Sequence, residues 1–439
     1  MYANPVRRRM AQGALVLFVL AAPPSAGAQT PVAAGADQHE GHEGHDMAHG
    51  EEAIPQTREG SGTSWLPDET PMYALHRTAG KWQLMGHGNV FLQYLRESGE
   101  RGSDQAGSIN WLMGMAHRPA GKGRLMFRGM VSLEPWTIGG CGYPDLLATG
   151  ELCGGEAIHD RQHQHDLFME LAVQYDRPLG KGVHVQLFGA PVGEPALGPV
   201  AFMHRISGLP NALAPMTHHW FDSTHITYGV LTGGLYGRRW KAEASVFNGR
   251  EPDEDRTDFD FAAMDSWSGR LWFLPAPRWA MQASAGRLNE AEAGHDGDPV
   301  DINRVTASVT YHRTTLNGAV WATTVGWGRN AESGGDTTNA LLFETGITVR
   351  QRDAWYGRFE WAQKSGHDLA VPEHDIFKVA KLQGGYTRYL QTAWNGLTPG
   401  IGGGLSVGVV PRALEAAYGR RFNAGFGVYL TVRPAAHQM

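Results

Sequence analysis

From residue 82 onward, apolar and polar residues alternate with a period of two, in runs broken by turn-forming segments. In 304–312 (RVTASVTYH), Val305, Ala307, Val309 and Tyr311 fall on one face; Arg304, Thr306, Ser308, Thr310 and His312 fall on the other. Such a run is a strand with one apolar and one polar side. Between 82 and 433 the pattern predicts about sixteen strands, with fourteen the nearest other count. The connections alternate in length. Brief turns at 119–122, 177–181, 237–238 and 351–353 separate long polar loops, the longest over 135–164 and 191–222. This is the pattern of a transmembrane antiparallel β-barrel, with lipid against the apolar face and water against the polar one. No run reaches the ~20 apolar residues that a spanning helix needs. A chain that crosses the bilayer with strands must close them, because unpaired edges cannot face lipid. The competing fold is an all-β periplasmic protein with two soluble sheets.

The polar faces carry Arg128, Glu170, Lys241, Glu243, Arg304, Glu344, Arg358 and Glu360. At mid-membrane on the lipid side an Arg or Lys would cost ~2–4 kcal/mol, so these side chains are expected inside. A lumen holding both signs of charge on neighbouring strands points to a narrow or partly blocked pore.

The N-terminal segment reads as an export leader. Arg7, Arg8 and Arg9 precede an apolar stretch at 13–22, and Ala26-Gly27-Ala28 forms a small-residue cleavage site. The expected organisation is a signal peptide over 1–28 and a disordered, His/Met-rich leader over 29–60. A transition, plug or strap over 61–80 precedes the barrel over 81–439. Segment 29–60 holds too few apolar residues to offset its ordering entropy. The implied location is the bacterial outer membrane of a Gram-negative cell, with both termini in the periplasm. The implied partners are the lipid bilayer and the barrel-assembly machinery. A mean hydropathy of −0.34 fits strands of which only alternate residues face lipid. The net charge of −6 gives no support for nucleic-acid binding. The two cysteines, Cys141 and Cys153, share one Gly-rich loop, and in an exported chain a disulfide is expected between them. A two-cysteine metal site is the alternative, without the paired spacing of a zinc motif.

Three constellations could carry chemistry. In the leader, His39, His42, His45, Met47 and His49 could wrap copper, zinc or nickel, or form only a solvated, pH-sensitive tail. On the first three strands, parity puts Met85, His87, Met113, Met115, His117, Met126 and Met130 on the lumen face. Thioethers suit Cu(I) and imidazole suits several transition metals, whereas Met can equally be a flexible filler of a crowded lumen. The third set lies on long loops expected on the external side. It comprises His159, His163, His165 and Asp166, then Glu194, His204 and Arg205, then His218, His219, Asp222 and His225, then Arg250 and Glu251. It could form a metal site, an acid–base pair, or a hydrogen-bonded network that folds inward and constricts the pore. Ser223, between Asp222 and His225, is the sole candidate nucleophile, and local adjacency is poor evidence for a triad.

The segments DRQHQHD, GAPVGEPALGPVAFMHR, HHWFDSTHI and FNGREPDED, with GTSW at Gly62–Trp65, resemble a family of uncharacterised bacterial outer-membrane proteins. That resemblance covers most of the mature chain and implies a barrel without assigning a reaction. A His/Met-rich leader followed by a barrel is also similar to copper-resistance outer-membrane proteins. One departure is the end of the chain. Barrels of this kind usually finish on an aromatic residue, whereas this one ends Arg433-Pro-Ala-Ala-His-Gln-Met439. The expected function is a porin-like or transport barrel that binds or handles transition-metal ions, copper foremost. A general solute channel without a metal role is the second reading. An outer-membrane hydrolase using the loop His/Asp cluster is the third.

Overall fold

The computed structural model describes residues 54–436, apart from 155, 294–298, 316, 373–374 and 391–394. The export leader and the leader residues His39, His42, His45, Met47 and His49 lie outside the described residues.

A short strand β1 (Leu75–Ala79) enters β2 (Trp82–Glu97), which is followed by β3 (Asp104–Ala120) and β4 (Gly123–Val131). Strands β5 (Tyr143–Cys153) and β6 (Glu156–Gln162) form a separate hairpin in the next loop. The wall resumes with β7 (Phe168–Gly180), β8 (Val183–Gly193), β9 (Thr227–Tyr236) and β10 (Trp240–Phe247). It continues through β11 (Ser266–Phe273), β12 (Trp279–Ala293), β13 (Pro299–Thr314) and β14 (Val320–Glu332). The last five strands are β15 (Thr337–Val349), β16 (Asp353–Ser365), β17 (Ile376–Tyr389), β18 (Leu397–Val409) and β19 (Phe422–Pro434). Each wall strand pairs antiparallel with its neighbour, and β19 returns to β2 through eight residue pairs, from Gly425↔Glu97 to Val432↔Val90. The result is a closed barrel of sixteen antiparallel strands.

The alternation seen in the sequence is the inside–outside alternation of this wall. On β13, Arg304, Thr306, Ser308, Thr310 and His312 are buried inside, while Val305 is exposed. On β15, Leu341, Phe343 and Ile347 face out, and Thr338, Leu342 and Glu344 face in. The outer surface is a belt of Leu, Val, Ile and Phe, which only a bilayer could cover around a whole barrel. Near the short turns it carries an aromatic girdle. Trp279, Tyr311 and Trp321 form a continuous row, with ring centroids 4.7 and 5.4 Å apart, and Trp355 lies 5.3 Å from Tyr386. Amphipathic rings at that height are what a membrane interface selects. No helix among the described residues is long and apolar enough to cross a membrane.

Three expectations need correction. Residues 54–60, expected to belong to a disordered leader, are folded. Residues 56–58 form a 3-10 turn, and Glu59 bridges to Trp65. This segment is held by the Arg58–Asp68 pair (2.7 Å) and by Ile54 and Trp65, which pack with Tyr236 and Trp272. Strand pairing also begins at Leu75, before residue 81, because β1 folds back on β2. Finally, the long loop after β4 is itself a hairpin. The Cys141–Cys153 disulfide links the segment entering β5 to the last residue of β5, with Cα atoms 5.8 Å apart.

The lipid-facing position of Phe343, at the middle of β15, gives a direct test. Phe343→Arg should lower unfolding stability by ~2–4 kcal/mol and weaken heat-modifiable gel mobility. Replacement of the inward Thr338 by Ser should change neither.

Candidate functional site

The lumen is filled by three segments of the chain. From the end carrying the short turns, residues 54–74 enter. Trp65 is buried against Tyr236, and the Gly62-Thr63-Ser64 stretch receives wall cations: Arg128 donates to the Gly62 carbonyl, Lys241 to the Thr63 carbonyl and Arg270 to the Thr63 hydroxyl. From the opposite end, residues 194–226 descend the full width of the barrel. Their partners come from β2 (Asn89 to the Leu209 carbonyl, 3.2 Å), β12 (Ser284, 2.9 Å) and β14 (Thr324, 3.0 Å). Others come from β16 (Glu360, accepting from Thr217 at 2.8 Å) and β19 (Tyr429, donating to the Pro210 carbonyl at 2.7 Å). Above them, the β5–β6 hairpin inserts Leu146 and Leu147 and gives Asp145 to Lys381 at 2.6 Å. The two plugging segments meet: the Ala201 amide donates to Ser61 Oγ at 2.9 Å, and Gly62, with φ +51°, sits against Glu194. A side chain at residue 62 would collide with the Glu194 Cβ, at 2.7 Å.

Most of the loop residues expected on the external side fold inward from the loop end, as in the constricting network named among their possible roles, whereas Arg250 stays at the rim. Those loops carry enough Leu, Phe, Trp and paired charge to be stable only when folded into the barrel, where wall charges await partners. The set also does not form one cluster. His159 sits at the hairpin edge, bonded through Nδ1 to the Asp368 carbonyl. Arg250 is at the rim, paired with Glu290 (2.7 Å) and Asp265 (3.2 Å). Asp166 lies 3.7 Å from Arg256. Glu194 reaches Arg270 at 3.4 Å, and burial pushes its carboxyl up to about 7 against the pull of that guanidinium. Arg205 spans the plug and the wall, donating to Asp222 at 2.7 Å and to Glu344 at 3.2 Å.

Four histidines do gather at the loop end. The rings of His218 and His225 are 5.1 Å apart, those of His165 and His225 5.4 Å, and those of His163 and His218 6.3 Å, with Phe202 among them. Three are oriented through Nδ1: His165 toward Glu134 (3.0 Å), His218 toward Asp222 (2.9 Å), and His225 donating to the Asp222 carbonyl (2.7 Å). Burial holds His163, His218 and His225 below the ordinary histidine pKa, and in His218 and His225, which donate through Nδ1, the lone pair is left on Nε2. Asp222 stays ionised: burial opposes it, but Arg205 and His218 outweigh that and hold its carboxyl well below the usual range.

His219 behaves in the opposite way. Burial disfavours its charge, yet Glu251 (3.3 Å) and Glu292 (3.2 Å) outweigh burial and lift its pKa to about 9. The three side chains are close enough to share a cation. At neutral pH the proton already takes that place.

At the turn end, the stripe on β2 to β4 divides. His87, Met113, Met115 and Met85 line a cavity of about 80 Å³, which Met203 and His204 of the descending loop complete. His87 Nε2 lies 2.9 Å from Met113 Sδ, and the His87 and His204 rings are 5.5 Å apart. Met126 and Met130 do not line that cavity, although they are buried in the same apolar cluster as Met113, Met115 and Met203. His117 is engaged with Gln56 (2.9 Å) and Gln83 (2.8 Å). Sequence reasoning missed Glu134, Glu292 and Trp111, and met Met203 only as part of the loop motif ending in His204 and Arg205. Trp111 alone had a usable signal, the same strand parity as Met113 and Met115.

Ser223 accepts from Arg304 at 2.8 Å, so its hydroxyl is held by a guanidinium at the loop end. No protein-family model matches the chain. No curated protein matches it either. Among solved structures, the chain is similar to OmpT of Vibrio cholerae (8% identity, TM-score 0.47, 82% of this chain and 99% of that one). It is also similar to the anion-selective porin of Comamonas acidovorans (11%, 0.48, 81% and 99%). Salmonella typhi OmpF is a third such barrel (9%, 0.49, 82% and 100%).

The raised pKa of His219 sets a pH test. Its pairing contributes fully below the free value of 6.5 and is lost as pH rises through about 9. Hydrogen-exchange protection across residues 217–226 should fall between those limits. In His219→Gln the profile should be flat.

Proposed function

We propose that this chain is a porin-like transport barrel of the bacterial outer membrane, closed at rest by its own inward-folded segments, and that it handles transition-metal ions, copper foremost. The short turns and both ends of the described chain lie at one end of the barrel, which we assign to the periplasm. The imidazoles and thioether of the leader would serve as a metal collector. Insertion would follow the barrel-assembly route.

The observation that carries the metal reading is the lining of the turn-end cavity: thioethers and imidazoles from two wall strands and one plugging loop face the same small space. Soft and borderline donors in such numbers select Cu(I) over the alkali and alkaline-earth ions that an ordinary porin passes. The second reading, a general solute channel, draws support from the many charges on the lumen face. Transport in either case requires the plug to move, since its buried pairs cross the whole lumen.

Arg205 is the place to test this. Arg205→Met leaves Asp222 and Glu344 buried without their shared partner, which should cost ~3–5 kcal/mol of plug stability. In planar bilayers the native chain should show rare openings whose frequency changes with micromolar copper, and Arg205→Met should be open most of the time. A steady, large conductance from the native chain, indifferent to copper, would favour the general channel.

A further inference from the structure

Among the lumen clusters, the turn-end cavity combines unsatisfied donors with space. His204 is buried, and its Nε2 has no hydrogen-bond partner. An unpaired buried ring nitrogen is costly unless something completes it. Trp111 packs on both imidazoles, with centroids 5.2 Å from His87 and 4.7 Å from His204, and so walls the site on one side. The charges at the cavity edge are of opposite sign. Glu59 is paired with Arg124, and Arg433 is stacked between Tyr73 (3.6 Å) and Tyr389 (4.1 Å).

We propose that this cavity is a binding site for one soft monovalent cation, Cu(I) or its analogue Ag(I). The donors are the imidazoles of His87 and His204 and the thioethers of Met113 and Met203, with Met85 and Met115 within the same lining. The donor set is soft, with no carboxylate among the four groups. It matches a large, weakly hydrated monocation and offers no carboxylate pair to a hard divalent ion. A cavity of about 80 Å³ has room for an ion together with a few waters. His87 and Met113 belong to the wall, whereas Met203 and His204 belong to the plugging loop. A bound ion therefore ties loop to wall, and occupancy favours the closed barrel. The site deepens the proposed copper role and rests on it for its physiological meaning. Its chemistry can be tested without it.

The experiment uses the full chain with the leader donors silenced: His39→Asn, His42→Asn, His45→Asn, Met47→Leu and His49→Asn. Anaerobic competition against bicinchoninate should find one Cu(I) per chain, and X-ray absorption should show sulfur together with nitrogen around copper. Met113→Leu conserves volume and should weaken binding at least tenfold, as should His204→Asn. Met126→Leu, buried outside the cavity, should leave affinity unchanged. If His204→Asn fails to fold, Met113→Leu and the absorption spectrum of the unsubstituted cavity decide the matter. Absence of bound Cu(I), a copper spectrum without sulfur, or unchanged affinity in Met113→Leu would overturn the site. Copper-insensitive conductance with the binding intact would instead remove the transport role and leave the site standing.

Discussion

The interior of this barrel depends on the pairing of buried charge. Arg270 meets Glu243 at 2.9 Å, Arg358 meets Glu344 at 2.7 Å, Arg128 meets Glu170 at 2.8 Å, and Lys381 meets Glu97 at 2.9 Å. Each pair lies within the wall, yet nearly all have a further partner on an inward segment. Arg270 reaches Glu194, Glu344 reaches Arg205, and Lys381 reaches Asp145. An ion withdrawn from water needs several partners to offset its desolvation, and two strands alone do not supply them. The plug is thus the missing half of the wall's solvation, and its removal would have to be matched by water entering the lumen.

Much of the architecture was legible in the sequence. The number of wall strands, their inward and outward faces, and the alternation of short and long connections all followed from period-two patterning. They are local properties of each strand. The disulfide was legible too, because only two cysteines exist and one loop holds both. The destination of the loops was not legible. His218 and Asp222 are four residues apart, and their contact can be guessed; the contact of Arg205 with Glu344 spans 139 residues and has no local signature. The same limit explains the division of the Met/His stripe. Parity placed Met113 and Met126 on the lumen side alike, but which of them meets open space depends on where Met203 and His204 arrive. His219 was unreadable for a related reason. Its charge state is set by Glu251 and Glu292, which come from two other parts of the chain.

Glycine shapes the fit between plug and wall. A Cβ at Gly328 would stand 2.6 Å from the Trp220 carbonyl oxygen, and one at Gly346 would stand 2.9 Å from the Ser207 carbonyl oxygen. These positions thin the wall where the descending loop passes, so loop and strands share one register. The wall has notches cut for this loop.

That register has a consequence in time. The descending loop, residues 194–226, follows only five wall strands in the chain, yet its partners lie on strands as late as β17 and β19. Its socket is complete only once those last strands have paired. Closure of the β19–β2 seam and burial of the loop are thus parts of one event, and a variant that delays either should delay both.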